Sequence, residues 1–65
     1  MQQTIADKIK AARLNKGMTQ ADVAKKSDLS VNFYARVERG ETKPSAETFI
    51  KIKIALGTEY SEILP

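Results

Sequence analysis

Residues 19–39 read TQADVAKKSDLSVNFYARVER, and this stretch decides the fold. Its apolar residues change spacing partway along. The spacing that includes Val23 and Ala24 stops near the middle, and a new spacing of three begins with Tyr34 and Val37. Two short helices joined by a tight turn are therefore predicted.

Two hydroxyl residues mark where these helices start. Thr19 precedes the first, with Asp22 three residues later, and Ser30 precedes the second. Such side chains accept hydrogen bonds from the exposed amides of a first helical turn. One helix stops and the next starts within about three residues, which is typical of a helix-turn-helix over about 19–39. Asp28 is the predicted corner, because Asp tolerates positive φ, although glycine would be freer there.

Length and composition exclude several classes of function. The 65 residues leave room for one domain, so we expect a single helix-turn-helix domain over 1–65. The chain has no cysteine and no histidine, and its carboxylates are scattered. We therefore expect no metal site, no cofactor, no small-molecule ligand and no enzyme activity. No apolar run approaches the ~20 residues that a membrane helix needs, and a signal peptide is lacking, so we expect a cytoplasmic protein.

The rest of the chain predicts three further helices. No segment alternates apolar and polar residues, so no strand is expected. The first helix is expected over about 3–15, the fourth from Pro44-Ser45 through Leu56, and a short fifth helix over roughly 59–64. The predicted fold class is all-α, a compact five-helix bundle in which helices 2 and 3 form the helix-turn-helix.

Positive charge is concentrated in one part of the chain. The net charge is +3. Residues 8–43 contain nine Lys or Arg and four acidic residues, whereas residues 44–65 contain two and three. Such a patch suits a phosphate backbone. A solvated lysine-rich surface is the alternative that charge alone leaves open.

The second helix of the pair divides into two faces at about 100° per residue. Tyr34 and Val37 fall on the side expected to face the first and fourth helices. The opposite, outward side contains Asn32, Ala35, Arg36 and Arg39. A helix fits the major groove of DNA, where arginine can bond guanine and asparagine can bond adenine. Each residue alone could be a solvated side chain, so it is their combination on a helix-turn-helix that indicates a double-stranded DNA partner.

Val31 and Phe33 can both be explained without DNA. Val31 lies in the first turn, where it can contact a thymine methyl group. Phe33 lies at the border of the apolar face. It either packs against the domain or contacts sugar and methyl groups.

Three motifs in the chain are specific, KGMTQADVAKKS, LSVNFYARVERG and KPSAETFIKI, and they are followed by ALG. Together they resemble the Cro/CI-type helix-turn-helix family, also called the XRE family, which includes the lambdoid phage repressors and many small bacterial regulators. The resemblance runs from about Ile5 to Leu64. It implies a lambda-repressor-like fold and a sequence-specific transcriptional regulator. We expect a repressor that binds a palindromic operator through the major groove as a homodimer.

The resemblance also implies roles for individual residues. The positions that read bases or adjacent phosphates are Val31, Asn32, Phe33 and Arg36. The positions that contact the DNA backbone are Gln20, Arg39 and Lys43, and the helix-capping residues Thr19 and Ser30 are assigned with them. Arg13 and Glu38 match a structural ion pair that ties the first helix to the third.

Three positions depart from the family pattern, and one of them is Ala12, where a larger apolar residue is common. Asp28 stands where glycine is usual, and Ile54 stands where family members tend to be polar. Ile50 and Ile54 are four residues apart and turned away from the expected core, so they are a candidate dimer interface. The alternative is that Ile50 packs under the last helix and Ile54 is an isolated exposed residue.

Two other functions are compatible with this sequence. The chain could be a protein-interaction module that kept the fold but not the DNA-binding surface. It could also be the N-terminal DNA-reading domain of a longer regulator or antitoxin. A steep fall of DNA affinity with salt separates a DNA-binding protein from an interaction module.

Overall fold

The computed structural model describes residues 4–57, which contain four helices and no strand. The helices are α1 (Ile5–Asn15), α2 (Gln20–Lys26), α3 (Val31–Glu38) and α4 (Ala46–Leu56). The all-helical prediction is confirmed for this range. The predicted count of five helices is not supported, since the fifth, over roughly 59–64, lies outside the described residues. No helix in residues 4–57 has both the length and the apolar character needed to cross a membrane.

Each helix begins with a hydroxyl side chain that accepts a hydrogen bond from the backbone N–H three residues later. These N-cap residues are Thr4, Thr19, Ser30 and Ser45. At α1 and α2 the backbone N–H of the cap also donates to an aspartate, which completes a capping box. The first helix starts two residues later than predicted, because Thr4 has extended backbone and caps the helix from outside.

The turn inside the helix-turn-helix depends on one residue in the left-handed region. Asp28 has φ +58°, the one positive φ at a residue other than glycine in the described chain. Its N–H donates to the carbonyl of Lys25 at 3.2 Å, and the N–H of Leu29 donates to the carbonyl of Ala24 at 2.8 Å. These two bonds satisfy carbonyls that the end of α2 leaves open. The predicted corner at Asp28 is confirmed.

The core is built from all four helices. Its buried apolar residues are Ile9, Val23, Ala24, Tyr34, Val37, Phe49, Ile52 and Leu56. Helix α2 packs against α3 and α4, and α3 also packs against α1. Tyr34 and Val37 of α3 belong to the same buried cluster as the core residues of α1 and α4. Because the inner side of α3 is packed against the core, the helix is held in place with its other side facing outward.

A buried ion pair joins α1 to α3. Arg13 Nε lies 2.6 Å from Glu38 Oε2, and Arg13 Nη2 donates to Glu38 Oε1 at 3.1 Å. The third guanidinium nitrogen, Nη1, donates to the carbonyl of Met18 at 2.9 Å. Because both side chains are nearly buried, each charge is compensated inside the protein. One arginine thus fixes α1, the segment before α2, and α3 relative to one another.

The surroundings of Glu38 decide its ionisation. Burial raises the pKa of its carboxyl, but the hydrogen bond from Arg13, the adjacent phenol of Tyr34 and the hydrogen bond from Gln20 outweigh burial. The pKa therefore lies below its ordinary value of 4.5. A carboxyl whose pKa is lower in the folded chain stabilises that chain above the unfolded pKa. This stability is lost as the pH falls from about 4.5 through the folded pKa.

We expect Glu38→Gln to lower the free energy of unfolding by about 3 kcal/mol, because Arg13 would remain charged and buried without its partner. Stability should also fall less steeply in the variant as the pH drops below 4.5, since the carboxyl that takes up a proton is gone. Urea unfolding at a series of pH values measures both effects.

Glu41→Gln is the matched control, because Glu41 pairs with Arg39 at the surface, where water and salt screen the charges. Its effect on stability should be far smaller. If Glu38→Gln lowers the free energy of unfolding no more than Glu41→Gln does, the buried pair does not stabilise the fold.

Asp28→Gly should raise the free energy of unfolding by roughly 0.5 kcal/mol, because glycine removes the cost of a side chain at positive φ. Gly17→Ala is the opposite control. Gly17 has φ +69°, and an added Cβ would meet no atom within 4 Å, so only the backbone cost changes and stability should fall. Thermal unfolding compares the two variants. A less stable Asp28→Gly chain would mean that the Asp28 side chain contributes a favourable interaction.

Candidate nucleic-acid interface

The outward side of α3 is the centre of the site. Tyr34 and Val37 are buried and anchor the helix, while Asn32 and Arg36 are exposed. Asn32 and Arg36 lie four residues apart and therefore share one face, about one helical turn from each other. Ala35 is half-buried between the two sides. The arrangement presents one amide and one guanidinium from a rigidly held helix.

The first turn of α3 separates the two apolar residues that were assigned to DNA. Val31 is exposed, whereas Phe33 is half-buried and packs against the core. Of the two alternatives for Phe33, packing against the domain is the one that the structure shows. Ser30 Oγ accepts from the N–H of Phe33 at 3.0 Å, which caps the helix. The side chains at this end that reach outward are Val31 and Asn32.

The start of α2 carries two residues predicted at the DNA backbone. Thr19 is exposed and its Oγ1 accepts from the N–H of Asp22 at 3.0 Å, so its hydroxyl hydrogen can still be donated. Gln20 is half-buried, and its Nε2 donates to Glu38 Oε1 at 3.2 Å. No pattern in the sequence predicts this contact. It links a predicted DNA-binding residue to the structural ion pair.

Two further predicted backbone contacts follow α3. Arg39 is exposed and forms an ion pair with Glu41, in which Nη2 lies 3.3 Å from Oε1 and Nε donates to the other carboxylate oxygen. This hydrogen bond lowers the pKa of Glu41 and raises that of Arg39. Lys43 is exposed in the connection to α4. Glu41 was not predicted as part of the site, although its place two residues after Arg39 was visible in the sequence.

The exposed positive charge is smaller than the residue count suggests. Arg13 is buried and paired with Glu38, so it adds little to the outer field. The exposed basic residues within 8–43 are Lys10, Lys16, Lys25, Lys26, Arg36, Arg39 and Lys43. Within residues 4–57, no group of three or more acidic side chains could hold a metal ion. Exposed basic residues in this range therefore outnumber the exposed acidic residues Asp22, Asp28 and Glu41, and α3 adds directional donors at Asn32 and Arg36.

The candidate dimer residues lie on α4, away from these donors in the chain. Ile50 is 46% exposed and Ile54 is 69% exposed. The residues of the predicted last helix, which the alternative packs over Ile50, lie outside the described range. Both side chains thus form an exposed apolar pair on one face of α4.

Known proteins contain the same motif. A helix-turn-helix family model matches residues 9–63. The chain is 36% identical over 61 residues to the immunity repressor protein of Bacillus phage phi105, a match that covers 94% of this chain and 42% of that protein. It is 38% identical over 53 residues to the uncharacterized HTH-type transcriptional regulator YqaF of Bacillus subtilis, covering 82% of this chain and 70% of that one.

A third relative is the transcriptional regulator ClgR of Mycobacterium tuberculosis, which is 28% identical over 64 residues, with 98% of this chain and 57% of that protein covered. The chain therefore spans less than half of the phage repressor and little more than half of ClgR. The matched range contains α2, the Asp28 turn and α3. On this match and on the geometry of its outward-facing α3, the chain belongs to the Cro/CI-type, or XRE, family of helix-turn-helix DNA-binding transcriptional regulators.

Proposed function

We propose that this chain is a repressor that binds a palindromic DNA operator as a homodimer, with α3 of each copy in the major groove. The observation that supports this most directly is the exposed pair of Asn32 and Arg36 on a helix whose other side is buried. Arginine can donate two hydrogen bonds to guanine, and asparagine can exchange two with adenine. In this proposal the chain is a cytoplasmic DNA-binding protein and not an enzyme.

One relative of this chain supports repression over activation. The phage phi105 protein is an immunity repressor and is 36% identical over 61 residues. A protein that occupies an operator can block polymerase without any further activity. The chain spans 42% of that repressor, so the role of the whole protein is part of this proposal.

Dimerisation follows from the size of the site. One small domain neutralises ~4 or 5 phosphates, which gives weak and salt-dependent binding, whereas two domains on a two-fold axis read half-sites about 10 bp apart. The exposed pair of Ile50 and Ile54 is the proposed contact between copies, because it is apolar and lies on a helix that carries no proposed DNA contact.

Selection of binding sites from random duplex DNA tests the base-reading residues. The wild-type chain should enrich a palindromic motif. Arg36→Ala and Asn32→Ala should each relax the preference at one position of each half-site, by about 1–3 kcal/mol of discrimination per base pair. The control is Lys51→Ala, which removes an exposed charge from α4 and should leave the motif unchanged.

Each result of this selection has a definite meaning. No enrichment by the wild-type chain would favour a protein-interaction module. An unchanged motif with Arg36→Ala would exclude Arg36 from base reading. A motif without two-fold symmetry would argue against the dimer.

The pair of Arg39 and Glu41 gives a second prediction. Glu41 holds the guanidinium that the proposal directs to a phosphate, so Glu41→Gln should raise the affinity for all DNA sequences alike and steepen the salt dependence by about one released counterion per domain. Lys43→Ala should have the opposite effect. Titrations at several salt concentrations measure both. Unchanged affinity after Glu41→Gln would mean that Arg39 does not reach the DNA backbone.

A further inference from the structure

We propose that Glu38 is a positioning residue for DNA binding: its carboxylate orients the side-chain amide of Gln20, so that the second N–H of that amide points to a DNA phosphate. The inference rests on the proposed function. It gives the buried ion pair a role in binding in addition to its role in the fold.

Three nitrogen donors meet at the carboxylate of Glu38. Its Oε2 accepts from Arg13 Nε at 2.6 Å. Its Oε1 accepts from Arg13 Nη2 at 3.1 Å and from Gln20 Nε2 at 3.2 Å. Glu38 is only 6% exposed, while Gln20 is half-buried and reaches the surface. The carboxylate is therefore held from the inside by Arg13 and in turn holds Gln20 near the surface.

The two ends of the Gln20 side-chain amide are chemically different. A glutamine side chain carries an oxygen that only accepts and a nitrogen that donates two hydrogens. A half-turn of the last torsion exchanges them at little cost in a solvated glutamine. A carboxylate only accepts, so Glu38 selects the orientation in which the nitrogen of Gln20 faces it. One N–H is then used, and the other stays available for a phosphate oxygen.

The hydrogen bond from Gln20 to Glu38 lies at a key position in the helix-turn-helix. Gln20 begins α2 and Glu38 ends α3, so the bond joins the two helices of the helix-turn-helix. Arg36, the proposed base reader, lies two residues before Glu38 on the same helix. A phosphate contact made by Gln20 is thereby kept in register with the reading face of α3. Phosphate contacts fix the orientation of a protein on the duplex.

A variant that removes the acceptor without leaving a buried charge tests the proposal. Arg13→Met with Glu38→Leu replaces both partners by apolar residues, a change that buried ion pairs often tolerate. Its affinity for the selected operator should fall by about fivefold for each bound domain, the value of one hydrogen bond. Gln20→Met should lose the same amount, and the triple variant should lose no more than either.

Two outcomes of this cycle would overturn the proposal. The double variant could bind as tightly as the wild-type chain, which would show that Gln20 does not need Glu38. The losses could instead multiply in the triple variant, which would show that the two sites act independently. Circular dichroism and thermal unfolding of each variant measure whether the fold is retained.

Arg36→Ala in every background separates this proposal from the proposed function. If Arg36→Ala lowers operator affinity while the double variant does not, only the role of Glu38 fails. If the wild-type chain shows no sequence-selective or salt-dependent binding to DNA, the proposed function fails with it.

The wild-type chain offers a measurement that requires no variant to fold. In ¹⁵N-labelled protein, one side-chain amide proton of Gln20 should be shifted by its hydrogen bond to Glu38 before DNA is added. The other should shift when operator DNA is bound. Two protons that both stay at the positions of a solvated glutamine in the complex would contradict the proposal.

Discussion

Arg13 and Glu38 place opposite charges in the interior of a small helical fold. Removing either charge from water is unfavourable, so the fold is stable only where the two meet with their hydrogen bonds satisfied. The partners lie on α1 and α3, and Arg13 also bonds the carbonyl of Met18 ahead of α2. The apolar core supplies most of the cohesion, but apolar contacts have little directionality. The ion pair supplies a direction and thus fixes how the helix-turn-helix sits on α1.

The parts of the fold that the sequence predicted are those that depend on local backbone chemistry. The caps at Thr19 and Ser30 and the positive φ at Asp28 follow from residues within one turn of each other. The start of α1 is predicted two residues early because the cap at Thr4 is not recognised in the sequence. Ile5, the first residue of α1, is 39% exposed, whereas Ile9, one turn later, is fully buried. Periodicity identifies a face, and tertiary packing decides how far along the helix that face is covered.

The candidate site also contains features that local sequence predicts and contacts that it does not predict. The outward placement of Asn32 and Arg36 follows from the helical period alone, once α3 is recognised. The pairing of Arg13 with Glu38 spans 25 residues of chain and was available only through the family resemblance. The bonds from Gln20 to Glu38 and from Arg39 to Glu41 depend on how helices and side chains meet, so no sequence pattern announced them. Local chemistry therefore predicted which residues face outward, but not which of them are already held by acidic partners.

These acidic partners change how the charge of the chain is to be understood. Arg13 is neutralised inside the protein, and Arg39 is held by Glu41 at the surface. A phosphate near Arg39 has to replace Glu41 or share the guanidinium with it, so this arginine contributes less to association than an unpaired cation would. Association driven by fewer cations is weaker on any DNA. In the proposed complex, a larger share of the binding free energy then comes from Asn32 and Arg36, the proposed base readers, whose directional donors can distinguish one sequence from another. Under the proposed function, internal pairing of arginines thus lowers non-specific affinity and leaves sequence discrimination to α3.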